Sequence, residues 1–112
     1  MDDKLISAFS KIINSDILKS VYPMVDHIDI VSLEKNLFFQ GYDMYVNIYL
    51  NDPEINKFNM YKYNFDPHYL VDNHIQSLSK YFGIKLRSVQ FQVYGVDGDL
   101  IANFGGPFGG PF

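Results

Sequence analysis

Apolar residues recur at helical spacing near the start of the chain. In the stretch from Asp3 to Val21, Leu5, Ile6, Phe9, Ile12, Ile13 and Ile17 fall on one stripe of a 3.6-residue repeat. Asp2 or Asp3 can cap its start, and Pro23 stops it beyond Tyr22. Asp16 falls inside the stripe, so the polar run Asn14-Ser15-Asp16 is expected to break the helix there. The period then changes to two. Residues 24–33 and 42–50 alternate as half-buried strands do, the second with Met44, Val46, Ile48 and Leu50 on one face and Tyr45, Asn47 and Tyr49 on the other. The loop 34–41 between them predicts a hairpin.

A long connection, 51–65, opens on Asn51-Asp52-Pro53. After it, Asp66 at a cap, Pro67 at the first helical position and Gly83 just past the end define a second helix. Its apolar stripe contains Leu70, Val71, Ile75, Leu78 and Tyr81, with His74 at the core edge. A strand over 84–94, a tight turn at Val96-Asp97-Gly98-Asp99 and a returning strand over 100–104 follow. The order α-β-β-α-β-β predicts an α+β two-layer sandwich, with two helices on one face of a four-stranded, mostly antiparallel sheet. It is the order obtained by moving the first strand of a β-α-β-β-α-β unit to the end. The expected division is a single domain over 1–104 and a C-terminal tail over 105–112, in which Phe-Gly-Gly-Pro repeats and strand continuity is expected to cease.

Composition narrows the function classes. A chain of 112 residues forms one domain, and 47% apolar content with nine Tyr and ten Phe supplies a core. There is no cysteine, hence no disulfide or thiolate site. The net charge of −4, from 13 acidic and 9 basic residues, argues against a nucleic-acid partner. No apolar run is long enough to span a bilayer, and the start has no signal-peptide layout, so a cytoplasmic location is expected. The abundance of Asn, Ile, Lys, Tyr and Phe points to A/T-rich codons, with a viral genome, and hence host cytoplasm or a virion, among the candidates.

Candidate chemistry is sparse. His68 and Asp72 stand four apart on a helix, but His74 points elsewhere and further metal ligands would have to come from Asp26, His27 or Asp29. No metal or other cofactor is expected. Residues 95–100 lack the ligand series of a calcium loop, and no serine sits in a strained nucleophile turn. The pattern therefore predicts no enzyme but an interaction module, a small structural or accessory subunit of a larger assembly that meets a neighbouring subunit. The expected partner-binding residues are the tail rings Phe104, Phe108 and Phe112 and the aromatic connection with Phe58, Tyr61 and Tyr63. The alternative reading of that connection, flanked by Lys57 and Lys62, is a platform for single-stranded nucleic acid, and a third reading of the chain is a small enzyme with no site recognisable from sequence.

Overall fold

A computed structural model describes residues 3–15, 20–38 and 40–107. Helix α1 (Asp3–Ile13) is followed by strands β1 (Val25–Lys35) and β2 (Tyr42–Leu50). A 3₁₀ turn (Met60–Tyr63) precedes helix α2, which runs over 67–81, and strands β3 (Leu86–Tyr94) and β4 (Leu100–Pro107) complete the chain. The four strands form one sheet in the order β1-β2-β3-β4. The outer pairs are antiparallel and the central pair, β2 with β3, is parallel. The α+β arrangement is thus as the alternation and caps indicate, and α2 serves as the crossover that a parallel pair requires. In a transposed β-α-β-β-α-β unit another strand would separate the two parallel strands; here they are direct neighbours.

Register sorts the side chains into two faces. Ile28, Ile48, Val93 and Ala102 stand in one row across the sheet, and Ile30, Val46, Phe91 and Phe104 in the next. These rows face the helices and form the core with Phe9, Ile13, Leu70 and Ile75. The long connection contributes Ile55, Met60 and Phe65, all buried. A fully buried aliphatic or aromatic side chain contributes roughly 1.5–3 kcal/mol, so this single layer supplies most of the driving force for folding.

Helix α1 ends where the polar run begins. The Asn14 amide nitrogen donates to the carbonyls of Ser10 and Ile28, each at 2.8 Å, and its oxygen accepts from the Ile28 amide at 2.7 Å. One side chain therefore terminates the helix and satisfies both backbone groups of a residue on the outermost strand. Asp16 and Ile17 lie outside the described residues. Ile12 does not join the core and is 43% exposed.

Helix α2 begins as its sequence indicates. The Asp66 carboxylate accepts from the amides of His68 at 3.0 Å and Tyr69 at 3.3 Å, a cap worth about 1 kcal/mol. Its middle departs from the α-helical repeat. After Pro67–Tyr69, residues Leu70–Ile75 form a π segment, and Gln76–Tyr81 resume the α-helix. The Gln76 amide donates to Val71, five residues back. The widened turn shifts the inward positions that follow by one residue. This corrects the sequence expectation for Tyr81, which faces solvent, while Ser79 is buried and donates to the Ile75 carbonyl at 2.8 Å.

Strand β4 runs past its expected end at Phe104. Gly105, Gly106 and Pro107 continue the strand opposite Gln90, Val89 and Ser88. Glycine tolerates extended pairing despite its entropy cost, and proline is acceptable at a strand end. The remaining tail residues, Phe108 and Phe112 among them, lie outside the described residues. At the same end of the sheet Gly41 has φ +114°, and a Cβ there would stand 2.8 Å from the Lys85 carbonyl oxygen. That carbonyl accepts from the Tyr42 amide at 2.8 Å, so a bare backbone is needed where β2 starts against the entry to β3.

Two outcomes test this account. Asn14→Ala should lower the unfolding free energy by about 1–3 kcal/mol, the cost of stranding buried backbone groups. Asn14→Asp, which loses the donor, should do no better. Chemical denaturation showing wild-type stability for both would reject the link. A chain ending at Phe104 should be about 1–2 kcal/mol less stable than one ending at Pro107, the loss of three paired residues net of their ordering. Equal midpoints would show that 105–107 add nothing to the sheet.

Candidate functional site

Both helices pack on one face of the sheet, and among the described residues no element covers the other. That open face is built by the positions that alternate with the core. Its rows run His27, Tyr49, Tyr94 and Leu100; then Asp29, Asn47, Gln92 and Asn103; then Ser32, Tyr45, Gln90 and Gly105. Most of these side chains are half-buried by their neighbours, while Asp29, Gln90, Leu100, Asn103 and Gly105 are exposed. The bulge between Ile30 and Ser32 turns Val31 outward, 58% exposed, at the β1 side of the same face.

The rings on this face lean on one another. His27 stacks on Tyr49 at 4.5 Å between centroids and 14°, and Tyr49 on Tyr94 at 5.3 Å and 18°. Stacking of this kind is worth about 0.5–1.5 kcal/mol beyond burial. It turns the faces of Tyr49 inward on its neighbours and presents edges and hydroxyls. The Tyr94 hydroxyl donates to Gln92 at 2.6 Å, and the Asn47 amide to the Tyr49 hydroxyl at 3.4 Å. His27 is fixed from the edge, its Nδ1 lying 2.6 Å from Asp26 and its Nε2 3.9 Å from Asp29.

Charge is confined to the border. Glu34, Asp43 and Ser88 close the face at the end where β2 and β3 begin. Asp43 accepts from the Ser88 hydroxyl at 2.6 Å and from the Asn36 amide at 2.9 Å, and Arg87 stands 3.9 Å away. Burial alone would raise the Asp43 pKa. The hydrogen bonds from Ser88 and Asn36, with the Arg87 charge, outweigh it and hold the carboxyl below its usual range. On the helix side, burial, with Tyr69 and Asp66 nearby, pushes the Tyr22 hydroxyl up to about 12.

The face is shallow. A depression of ≈ 220 Å³ lies between Val31, Tyr45, Gln90 and Asn103, smaller than the roughly 300–1,000 Å³ of clefts that enclose small molecules. A larger apolar cleft of ≈ 330 Å³ lies between α1 and α2, at Ile12, His74, Leu78 and Tyr81. It also takes in Ser15, where the described chain breaks off until Ser20.

The residues singled out by sequence are distributed as follows. Phe104 is half-buried; its ring lies 5.3 Å from Phe91 and 4.3 Å from His68, so it is engaged within the chain itself. Phe58, Tyr61 and Tyr63 are exposed, 83%, 56% and 38%, beside the buried Met60 and Phe65, and the Lys57 ammonium lies 5.1 Å above the Phe58 ring. His74 meets Tyr22 and Tyr69 edge-on, at 5.7 and 6.2 Å. Among the described residues no three His, Cys, Asp or Glu side chains are arranged to hold a metal ion. None of their helices is long and apolar enough to cross a membrane. Sequence reasoning missed the partner of Asn14 and the Asp43–Ser88–Asn36 cluster, because nothing in local spacing announces partners 14 or 45 residues away.

The Asp43 cluster makes a pH prediction. Its folded pKa lies below the unfolded value, so the stability it contributes is complete above the ordinary carboxylate range and is lost as pH falls through the folded pKa. Asp43→Asn should therefore flatten the fall in stability between about pH 5 and pH 3. Parallel denaturation curves for parent and variant across that window would contradict the cluster. Compared with protein-family models, with characterised proteins and with solved structures, the chain finds no match.

Proposed function

We propose that this chain is a non-enzymatic protein-interaction module, a small structural or accessory subunit of a larger assembly, and that the open sheet face is its contact surface. One observation carries the reading. The six central residues of that face, Tyr45, Asn47, Tyr49, Gln90, Gln92 and Tyr94, are uncharged, uncovered among the described residues, and bordered by Asp29, Glu34 and Asp43. Aromatic enrichment with charge pushed to the rim is the composition of a protein interface core. Tyrosines stiffened by stacking and amides held by hydrogen bonds lose little freedom on binding, which favours association.

Nucleic acid fits this surface less well. Tyr49 has both ring faces against its neighbours, the surrounding charges are mostly acidic, and the chain carries −4 overall. The exposed rings Phe58 and Tyr61 on the connection are a second place for a protein contact, and the tail residues Phe108 and Phe112 a third. An A/T-rich viral genome suits a subunit of this kind.

Quantitative affinity capture from the source cell tests the proposal. Asn47→Lys with Gln90→Lys places two charges in the face at polar positions and should reduce recovery of the bound protein about tenfold or more. Recovery by the parent should survive a rise from about 50 to 200 mM salt, across which a phosphate-driven complex loses orders of magnitude. Unchanged recovery by the double variant, with loss on Phe58→Ser and Tyr61→Ser instead, would move the contact to the connection. Salt-sensitive recovery of nucleic acid would overturn the reading.

A further inference from the structure

The two edges of the sheet are built differently. At the β1 edge, Asn14 occupies both backbone groups of Ile28, the strand is bulged at two places, and it carries Asp26, Asp29, Glu34 and Lys35. Bulges, charges and a covering side chain are the devices by which sheets prevent edge-to-edge pairing. Over 102–106 the β4 edge has none of them, and Pro107, which cannot donate, stands only at its end. Its pairing with β3 is regular there, its one irregularity lying back towards Leu100. It is the only one of the four described strands with no charged residue. No described element pairs with its outer side.

We propose that β4 pairs with β4 of a second copy of this chain, antiparallel about a two-fold axis, to give one continuous eight-stranded sheet. Identical antiparallel strands are self-complementary, since each supplies the donors and acceptors the other needs. Lack of charge is the condition that a self-pair imposes. A charged residue near the axis faces its own copy, and like charges opposite one another destabilise a strand pair. In a chain of net charge −4, β4 is the strand along which two copies approach without opposed carboxylates. The join also sets the two open faces side by side, with the rows through Asn103 and Gly105 continuing into their counterparts. The inference adds one defined partner to the reading above and does not depend on which protein the open face meets.

The experiment uses the full chain in sedimentation equilibrium, with charge variants at the exposed Asn103. The parent should dimerise with concentration. Asn103→Lys and Asn103→Glu should each raise the dimer dissociation constant about tenfold or more, and an equimolar mixture of the two should restore association. Val31→Lys, on the opposite edge, should leave the constant unchanged. Because the chain has no cysteine, single substitutions at Leu100, Asn103 and Gly105 map the axis. Cα atoms opposed across an antiparallel pair lie about 4.5–5.5 Å apart, within disulfide reach. A covalent dimer from any one of the three on mild oxidation places the axis at that residue, and Val31→Cys should give none.

Circular dichroism of each variant checks the fold, and a misfolded lysine variant leaves the glutamate and cysteine variants to decide. A parent that stays monomeric at every concentration would overturn the proposal, as would a dimer insensitive to both charges. A dimer lost only on deletion of 108–112 would overturn it too and make the arm the occupant. If Asn47→Lys with Gln90→Lys lowers affinity capture while leaving the dimer constant unchanged, the two surfaces act independently and both readings stand.

Discussion

The fold depends on a constraint of supply. Two short helices and one connection can cover only one side of a four-stranded sheet, so every strand must keep its apolar residues in step on that side. The pairing does so: Ile28, Ile48, Val93 and Ala102 line one row, and Ile30, Val46, Phe91 and Phe104 the next. A slip of one residue in any strand would turn its core residues to solvent. Asn14 fixes the far corner of this arrangement by joining the end of α1 to the Ile28 backbone. The other devices serve the same register. Gly41 admits the close approach at the start of β2, and Asp66 fixes where α2 begins.

The uncovered side is a consequence of that constraint, yet its composition does not follow from it. A solvent-facing sheet is stable with lysine, glutamate and threonine. This one holds Tyr45, Tyr49 and Tyr94 among amides in its centre and keeps its carboxylates at the border. The same contrast separates the two edges, one occupied, bulged and charged, the other neutral and regular from Ala102 onward. Taken together, the described part of the molecule has a closed side and a closed edge, and an open side and an open edge. Contacts with other chains are expected where it is open.

Much of this was legible in the sequence. Strand β2 and its two faces follow from strict alternation, and the start of α2 from Asp66 and Pro67, because each signal is local and complete within a few residues. The break after Ile13 was legible in Asn14-Ser15, though the Asn14 partner was not, since Ile28 lies in another element. Three features escaped local reasoning for separate physical reasons. The π segment shifts the inward positions of α2, so a 3.6-residue projection misplaces Tyr81 and Ser79. Gly105-Gly106-Pro107 has poor strand propensity, and only the neighbouring β3 carries it into the sheet. Phe104 looks like the first ring of the arm but fills a place between His68 and Phe91. The candidate surface was half visible, in Tyr45, Asn47 and Tyr49. It becomes a surface only when the parallel pairing sets Gln90, Gln92 and Tyr94 beside them.

The contrast between the edges is the centre of this account, and amide hydrogen exchange reads it directly. In the full chain, the Ile28 amide should be strongly protected at every protein concentration, because Asn14 occupies it within one molecule. Amides of 102–106 should exchange faster in dilute solution and gain protection as concentration rises, because no described strand accepts from their outward members and a second copy would. Protection of β4 that is already complete in dilute solution and independent of concentration, or a freely exchanging Ile28 amide, would contradict it.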